Sequence, residues 1–292
     1  MTTDGEKRAP LLARIGGPPL WADVGKQAKD LVHKGFVGGH TFMFSCFGPR
    51  AATITTTATL VQDITVGVVQ ATFQEGNTTH NLSFATTGNQ IQAQSTISNF
   101  GVAGLTAGLQ TSFPGGADGK AHITYIHDFA ALHARIHGFK AAPDLELSAN
   151  LGNKKIFTGG SLMYNTESRN ISMTKAGIGY TTDEFTSALV VDPLIEKSFD
   201  LYFTRNLSPR CQVGTHISRL YEKGLTSAKV ASSYVYNSQT TLKGRFDDKG
   251  LVAGLLQFSP SPLVTFSLLA EVNSRDLKAQ PNVGLSLSFL AM

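Results

Sequence analysis

Residues 18–35 read PPLWADVGKQAKDLVHKG, and no other stretch of the sequence has so clear a helical period. Its apolar residues recur at steps of three and four, so they share one face of a helix. These residues are Leu20, Val24, Ala28, Leu31 and Val32. Two prolines suit the first turn of a helix, and Gly35 suits its end. The pattern predicts an amphipathic helix over residues 18–35, and such a helix packs on a sheet or lies on a membrane surface.

From Gly39 onward the sequence changes to short segments in which apolar and polar residues alternate. A period of two places one face of a strand in an apolar medium and the other face in water. Turn residues separate the segments, whose lengths match the about nine to eleven residues that cross a bilayer at a tilt. Because no linker or composition break interrupts residues 39–292, we expect one domain and one continuous sheet. A sheet of that length avoids exposed edges by closing on itself.

These patterns predict an all-β protein, a transmembrane β-barrel over residues 39–292 preceded by the amphipathic helix of residues 18–35. The alternation alone supports about sixteen to twenty strands. Residues 1–17 are polar and are interrupted by glycine and proline. They are therefore predicted to form a flexible N-terminal extension.

Composition narrows the function classes. Charged residues make up 16% of the chain, hydrophobic residues 41%, and the net charge is +4. The basic residues are scattered, which argues against nucleic-acid binding.

No catalytic or nucleotide-binding motif occurs, so we expect a protein without enzymatic activity or a cofactor. We expect no metal site, because His133 and His137 would lie about 13 Å apart on one strand. Cys46 and Cys211 are expected to be free thiols.

Three stretches resemble the eukaryotic porin family, the mitochondrial voltage-dependent anion channels. Residues 18–36, PPLWADVGKQAKDLVHKGF, are similar to the amino-terminal helix of the family, which typically reads PPxYxDLGKxARDxxxKGF. Residues 177–185, GIGYTTDEF, look like its GYxTDEF segment. Residues 282–289, NVGLSLSF, fit the membrane-insertion signal of mitochondrial outer-membrane barrels. The residues that carry this signal are Asn282, Gly284, Leu287 and Phe289.

The resemblance implies a barrel of about nineteen strands with the amphipathic helix of residues 18–35 inside the pore; the strand number comes from the family and not from the pattern. It also implies a voltage-gated, weakly anion-selective channel in the mitochondrial outer membrane. Small metabolites and ions (ATP, ADP, phosphate and chloride) would cross it by passive diffusion. The expected partners are membrane lipid and these anionic permeants, and a homo-oligomer is allowed. The family's Gly-Leu-Lys stands here as Gly108-Leu109-Gln110, so no nucleotide contact is expected there.

Three alternatives stay open at this point. The protein-import barrel of the same superfamily shares the fold and the terminal signal. A plastid-envelope porin would carry the same patterns. A soluble β-rich binding module would also show alternating strands.

Basic residues are the candidate determinants of anion selectivity. Lys26, Lys29 and Lys34 lie on the polar faces of the predicted helix, where they would face the water column and raise the local anion concentration. Four more basic residues stand opposite apolar strand positions and are expected to point inward, because a lipid-facing charge at mid-membrane costs about 2–4 kcal/mol. They are Arg135, Lys229, Lys243 and Arg245.

Overall fold

The computed structural model describes residues 17–48, 52–61, 64–115, 118–140 and 142–291. The predicted flexible extension lies outside the described residues, apart from Gly17. In these ranges the chain forms one α-helix, α1 (Lys26–His33), followed by nineteen strands. The strands are β1 (Gly39–Phe47), β2 (Thr53–Val61), β3 (Ile64–Glu75), β4 (Thr78–Ala85), β5 (Gln90–Ser98), β6 (Leu105–Phe113), β7 (Lys120–Ile126), β8 (Ala130–His137), β9 (Asp144–Gly152), β10 (Ile156–Asn165), β11 (Asn170–Thr181), β12 (Phe185–Asp192), β13 (Ser198–Ser208), β14 (Cys211–Leu220), β15 (Leu225–Val235), β16 (Thr240–Asp247), β17 (Leu251–Ser261), β18 (Val264–Asn273) and β19 (Asn282–Ala291).

The nineteen strands close into one barrel. Each strand pairs antiparallel with the next, and β1 pairs parallel with β19 from Gly39 beside Gly284 to Cys46 beside Ala291. With an odd number of alternating strands, the first and the last run in the same direction, so only a parallel pair can close the ring. Closure leaves no strand edge in the hydrocarbon, where unpaired backbone groups are costly. The predicted all-β transmembrane barrel of about nineteen strands is confirmed.

The wall has an apolar outer face and a polar inner face. Outward-facing side chains are large and exposed, as a lipid-facing surface requires. They include Phe42, Phe44, Val69, Leu82, Phe84, Ile91, Ile123, Ile136, Leu147, Val230 and Phe246. The inner face carries hydroxyls, amides and charges, as in the bonds from Ser45 to Thr55 and from Gln110 to Gln92. None of the helices in the described ranges is long and apolar enough to cross a membrane.

The helix is shorter than the pattern predicted. Residues 21–23 form a single 3-10 turn, and α1 begins only at Lys26. Gly25 separates the two because its φ of 70° belongs to the left-handed region and interrupts the α-helical path. A Cβ at Gly25 would overlap the ring of Tyr202, so the break also allows the chain to approach the wall closely.

The apolar face of the helical segment packs against the inner wall, as the pattern predicted. Near its start, Val24 and Ala28 join a buried cluster with wall residues of β10, β12 and β13. Further along, Leu31 and Val32 pack on Ala231 of β15. Fully burying a valine or leucine contributes about 1.5–3 kcal/mol, so these contacts hold the segment to one side of the lumen.

Candidate functional site

The lumen is the candidate site, and strand register shows which side chains face it. Ala231 packs under the helix and therefore points inward, whereas its neighbour Val230 is 44% exposed on the outer surface. Lys229, two residues before Ala231, shares its face, and Arg245 is the register partner of Ala231. Lys243 lies two residues before Arg245 and also faces inward. The register therefore places these three basic side chains on the lumen side, and their role in anion selectivity stays a prediction.

Arg135 also faces the lumen, but its charge is shared within a cluster on β8 and β9. Its guanidinium lies 3.3 Å from the Glu146 carboxylate, which His137 Nε2 approaches to 2.9 Å. Next to them, Thr124 and His133 Nδ1 are hydrogen-bonded at 2.8 Å. In the described part of the chain, no three histidine, cysteine or acidic side chains converge as metal ligands. Arg135 is therefore a paired residue rather than a free cation.

Arg245 fastens the end of the helix to the wall. It forms an ion pair with Glu271, donates a hydrogen bond of 3.4 Å to the Val32 carbonyl, and lies 4.7 Å over the Phe36 ring. Its side chain is only 13% exposed. These contacts give Arg245 a docking role, because little of its charge reaches the water of the lumen.

The three predicted helix lysines lie in different environments. Lys26 and Lys34 are exposed to the lumen. Lys26 Nζ donates a hydrogen bond of 2.8 Å to Asp23, and that bond and the Asp23 charge raise the pKa of Lys26. Both side chains therefore reach the water of the lumen.

Lys29 differs from the prediction, because it lies half-buried between the helix and the wall. Its Nζ donates a hydrogen bond of 3.1 Å to the Val24 carbonyl and lies 4.6 Å over the Tyr202 ring. Burial lowers the pKa of Lys29, an effect that nearby Asp200 partly offsets. The reason is its place next to Ala28, at the border of the apolar face, where a long side chain folds back onto the wall.

Several residues that the sequence analysis did not select complete the docking surface. Asn150 on β9 is fully buried, and its Nδ2 donates a hydrogen bond of 2.7 Å to the Pro19 carbonyl. Gly177 and Gly214 face inward, and a Cβ at either would crowd Trp21 or Leu31 respectively. Glycine inside a strand is the one sequence signal that marks such close approaches.

The predicted insertion signal lies on β19, beside the parallel seam. Gly284 faces inward, where a Cβ would meet the Val37 carbonyl at 2.6 Å. Leu287 and Phe289 face outward, and the Phe289 ring lies 5.8 Å from that of Phe42. Asn282 stands at the start of the strand, against Gly38. The role of this stretch as a signal stays a prediction.

A closed, lipid-facing barrel with a polar lumen and an inner helix defines a membrane channel. Residues 17–284 match the eukaryotic porin family, and the chain belongs to that family. Membrane lipid therefore surrounds the barrel, and small solutes pass through it.

The similar proteins indicate which membrane holds the barrel. The chain is 28% identical over 276 residues to mitochondrial outer membrane protein porin 3 of Arabidopsis thaliana, covering 94% of this chain and 98% of that protein. It is 25% identical to the mitochondrial outer membrane porin of Triticum aestivum, over 94% and 99% of the two chains. It is also 24% identical to the outer plastidial membrane protein porin of Pisum sativum, over 94% and 99%. The predicted location in the mitochondrial outer membrane is confirmed by the family, the barrel and the mitochondrial relatives.

Proposed function

We propose that the chain is a voltage-gated, weakly anion-selective channel through which ATP, ADP, phosphate and chloride diffuse passively. The observation that carries this proposal is the closed nineteen-strand wall with its helix packed to one side. Barrels of about sixteen to eighteen strands leave an aqueous channel, and one packed helix does not fill a barrel of this size. The family and the fold favour transport over enzymatic chemistry.

The weak anion preference is proposed from the exposed lysines of the helical segment. Lys26 and Lys34 lie on its lumenal side, where positive charge attracts small anions and repels cations. Lys26 is partly compensated by Asp23. One partly compensated charge and one exposed charge support a small preference rather than a strict one.

Recording from the purified protein in a planar bilayer tests this proposal. In a potassium chloride gradient we expect steady conductance, a reversal potential on the anion side, and a lower conductance level at high voltage of either sign. Replacing both exposed lysines (Lys26→Gln with Lys34→Gln) should move the reversal potential toward zero. The matched control, Arg245→Gln with Glu271→Gln, removes two opposite charges and should leave the preference in place.

Three outcomes count against the proposal or part of it. Absence of conductance would contradict the proposed channel function. A strong cation preference in the fully open state would contradict the proposed anion selectivity. Selective block by a basic presequence-like peptide, with no passage of ATP, would favour the protein-import alternative. A homo-oligomer is expected only from the resemblance, and crosslinking in membranes tests it.

A further inference from the structure

Charged residues are distributed unevenly around the barrel. The ten strands β7–β16 carry thirteen lysine, arginine, aspartate and glutamate residues, whereas the nine strands from β17 through the seam to β6 carry two. Glu75 is the last residue of β3 and shares the outward face of Phe73. The other is Glu271, which is paired with Arg245. Thus no unpaired charge of these nine strands faces the lumen.

The inner surface of these nine strands, called the neutral half-wall from here on, is polar, and its one charged side chain is Glu271, which is paired with Arg245. Amides and hydroxyls dominate it, as at Thr57, Gln70, Asn81, Gln92, Gln94 and Gln110. Gln110 Nε2 donates a hydrogen bond of 3.3 Å to Gln92 Oε1, so neighbouring amides also bond to each other. Such a surface is wetted by water but contributes no net electrostatic potential.

The neutral half-wall bounds the open side of the lumen. The 3-10 turn contacts β9 and β10, and α1 contacts β13, β14 and β15, and all five strands belong to the charge-bearing set β7–β16. After the helix, Phe36 packs on Ala253, Leu255 and Leu269 at the border of the neutral half-wall. The water column beside the helix therefore runs along the uncharged surface.

The charges that do face the lumen nearly cancel. On β7–β16, Arg205 and Arg219 face outward, which leaves six inward cations and five inward acids. The helical segment adds three lysines and two aspartates, and Glu271 adds one acid. The total is nine cations against eight acids, and several are paired within 4 Å. A lumen with so small a net charge has little selectivity of its own.

We propose that permeating ions pass along the neutral half-wall, so that an uncompensated charge there shifts the charge selectivity of the pore, with Gln92 as the most effective position. Gln92 is exposed to the open side, and its register partners Ser83 and Ser112 carry no charge that could compensate a new one. One charge placed there changes the net charge of the lumen by as much as the whole present surplus. This inference rests on the proposed channel function.

The expected size of the effect follows from Coulomb's law. A unit charge at about 10 Å in water, screened at about 0.1 M salt, changes the ratio of local anion to cation concentration by about 1.5- to 2-fold. We therefore expect Gln92→Lys to raise the chloride-to-potassium permeability ratio by about that factor. Gln92→Glu should lower it by the same factor and remove most of the anion preference, because the added carboxylate cancels the surplus of one cation.

The inference is tested by measuring reversal potentials in a potassium chloride gradient. The proteins compared are the reconstituted parent protein, Gln92→Lys and Gln92→Glu. Gln92→Asn is the matched control and should behave as the parent protein. Thr57→Lys and Thr57→Glu, on β2 of the same half-wall, should repeat the opposite shifts at an independent position. Equal ratios for the lysine and glutamate variants, or shifts of the same sign, would overturn the inference. Failure of the parent protein to conduct would instead overturn the proposed function.

Discussion

Replacing Gly25 by alanine should release the helical segment from the wall. Gly25 has a φ of 70°, and a side chain there would overlap the ring of Tyr202. The left-handed conformation costs an alanine about 1–2 kcal/mol, and overlap with a packed ring costs a further 1–3 kcal/mol or so. Docking is therefore weakened by about 2–5 kcal/mol, which corresponds to an increase of about 30-fold or more in the undocked fraction.

The loss of docking free energy is large compared with the free energy that apolar burial contributes to holding the segment on the wall. Val24, Leu31 and Val32 are almost completely buried. Each contributes about 1.5–3 kcal/mol before the entropy of ordering the segment is subtracted. A weakening of about 2–5 kcal/mol thus removes a major part of the net docking free energy. The barrel itself should persist, because its strand pairing does not involve Gly25.

A cysteine at Ala28, which is 2% exposed, reports the undocked state. In a background without Cys46 and Cys211, maleimide labelling of Ala28→Cys should accelerate by about 30-fold or more when Gly25→Ala is added. Gly76→Ala is the matched control, since Gly76 has a φ of 56° with open space around it. An unchanged labelling rate in Gly25→Ala would refute the view that close approach to Tyr202 holds the segment.

Three further changes test the docking contacts. Asn150→Leu leaves the partly buried Pro19 carbonyl without its partner and should lower stability by about 1–3 kcal/mol, measured as a lower thermal unfolding temperature. Gly214→Ala places a Cβ 2.8 Å from a helix leucine and should accelerate labelling at Ala28→Cys less than Gly25→Ala does, because no backbone strain is added. Arg245→Gln leaves the Glu271 carboxylate unpaired. It should therefore lower both the thermal stability and the chloride-to-potassium permeability ratio. Adding Glu271→Gln should restore the permeability ratio.

The strands were predictable because one physical rule governs all of them. A wall between lipid and water requires alternation, and the alternation of β18, for example, marks residues 264–272 against an observed Val264–Asn273. The closing pair was not predictable from the pattern. The parallel contact of β1 with β19 depends on the parity of the strand number, which came from the family.

The sequence predicted which basic side chains face the lumen, but it did not predict which of their charges are paired. Parity placed Arg135 and Arg245 on the lumen side, yet both are engaged by acids that lie 11 and 26 residues further along the chain. Periodicity assigned Lys29 to water, whereas the wall ring of Tyr202 attracts it. Such pairings arise only when distant strands meet, so local pattern cannot reveal them.

The decisive measurement is pore sizing with neutral polymers in a planar bilayer. Small polyethylene glycols added on both sides should reduce the single-channel conductance as they reduce that of the bulk solution, because they enter the water column beside the helix. Larger polymers should be excluded and leave the conductance unchanged. Conductance that no polymer reduces, even the smallest, would contradict a wide open lumen, and so would a protein that inserts without conducting.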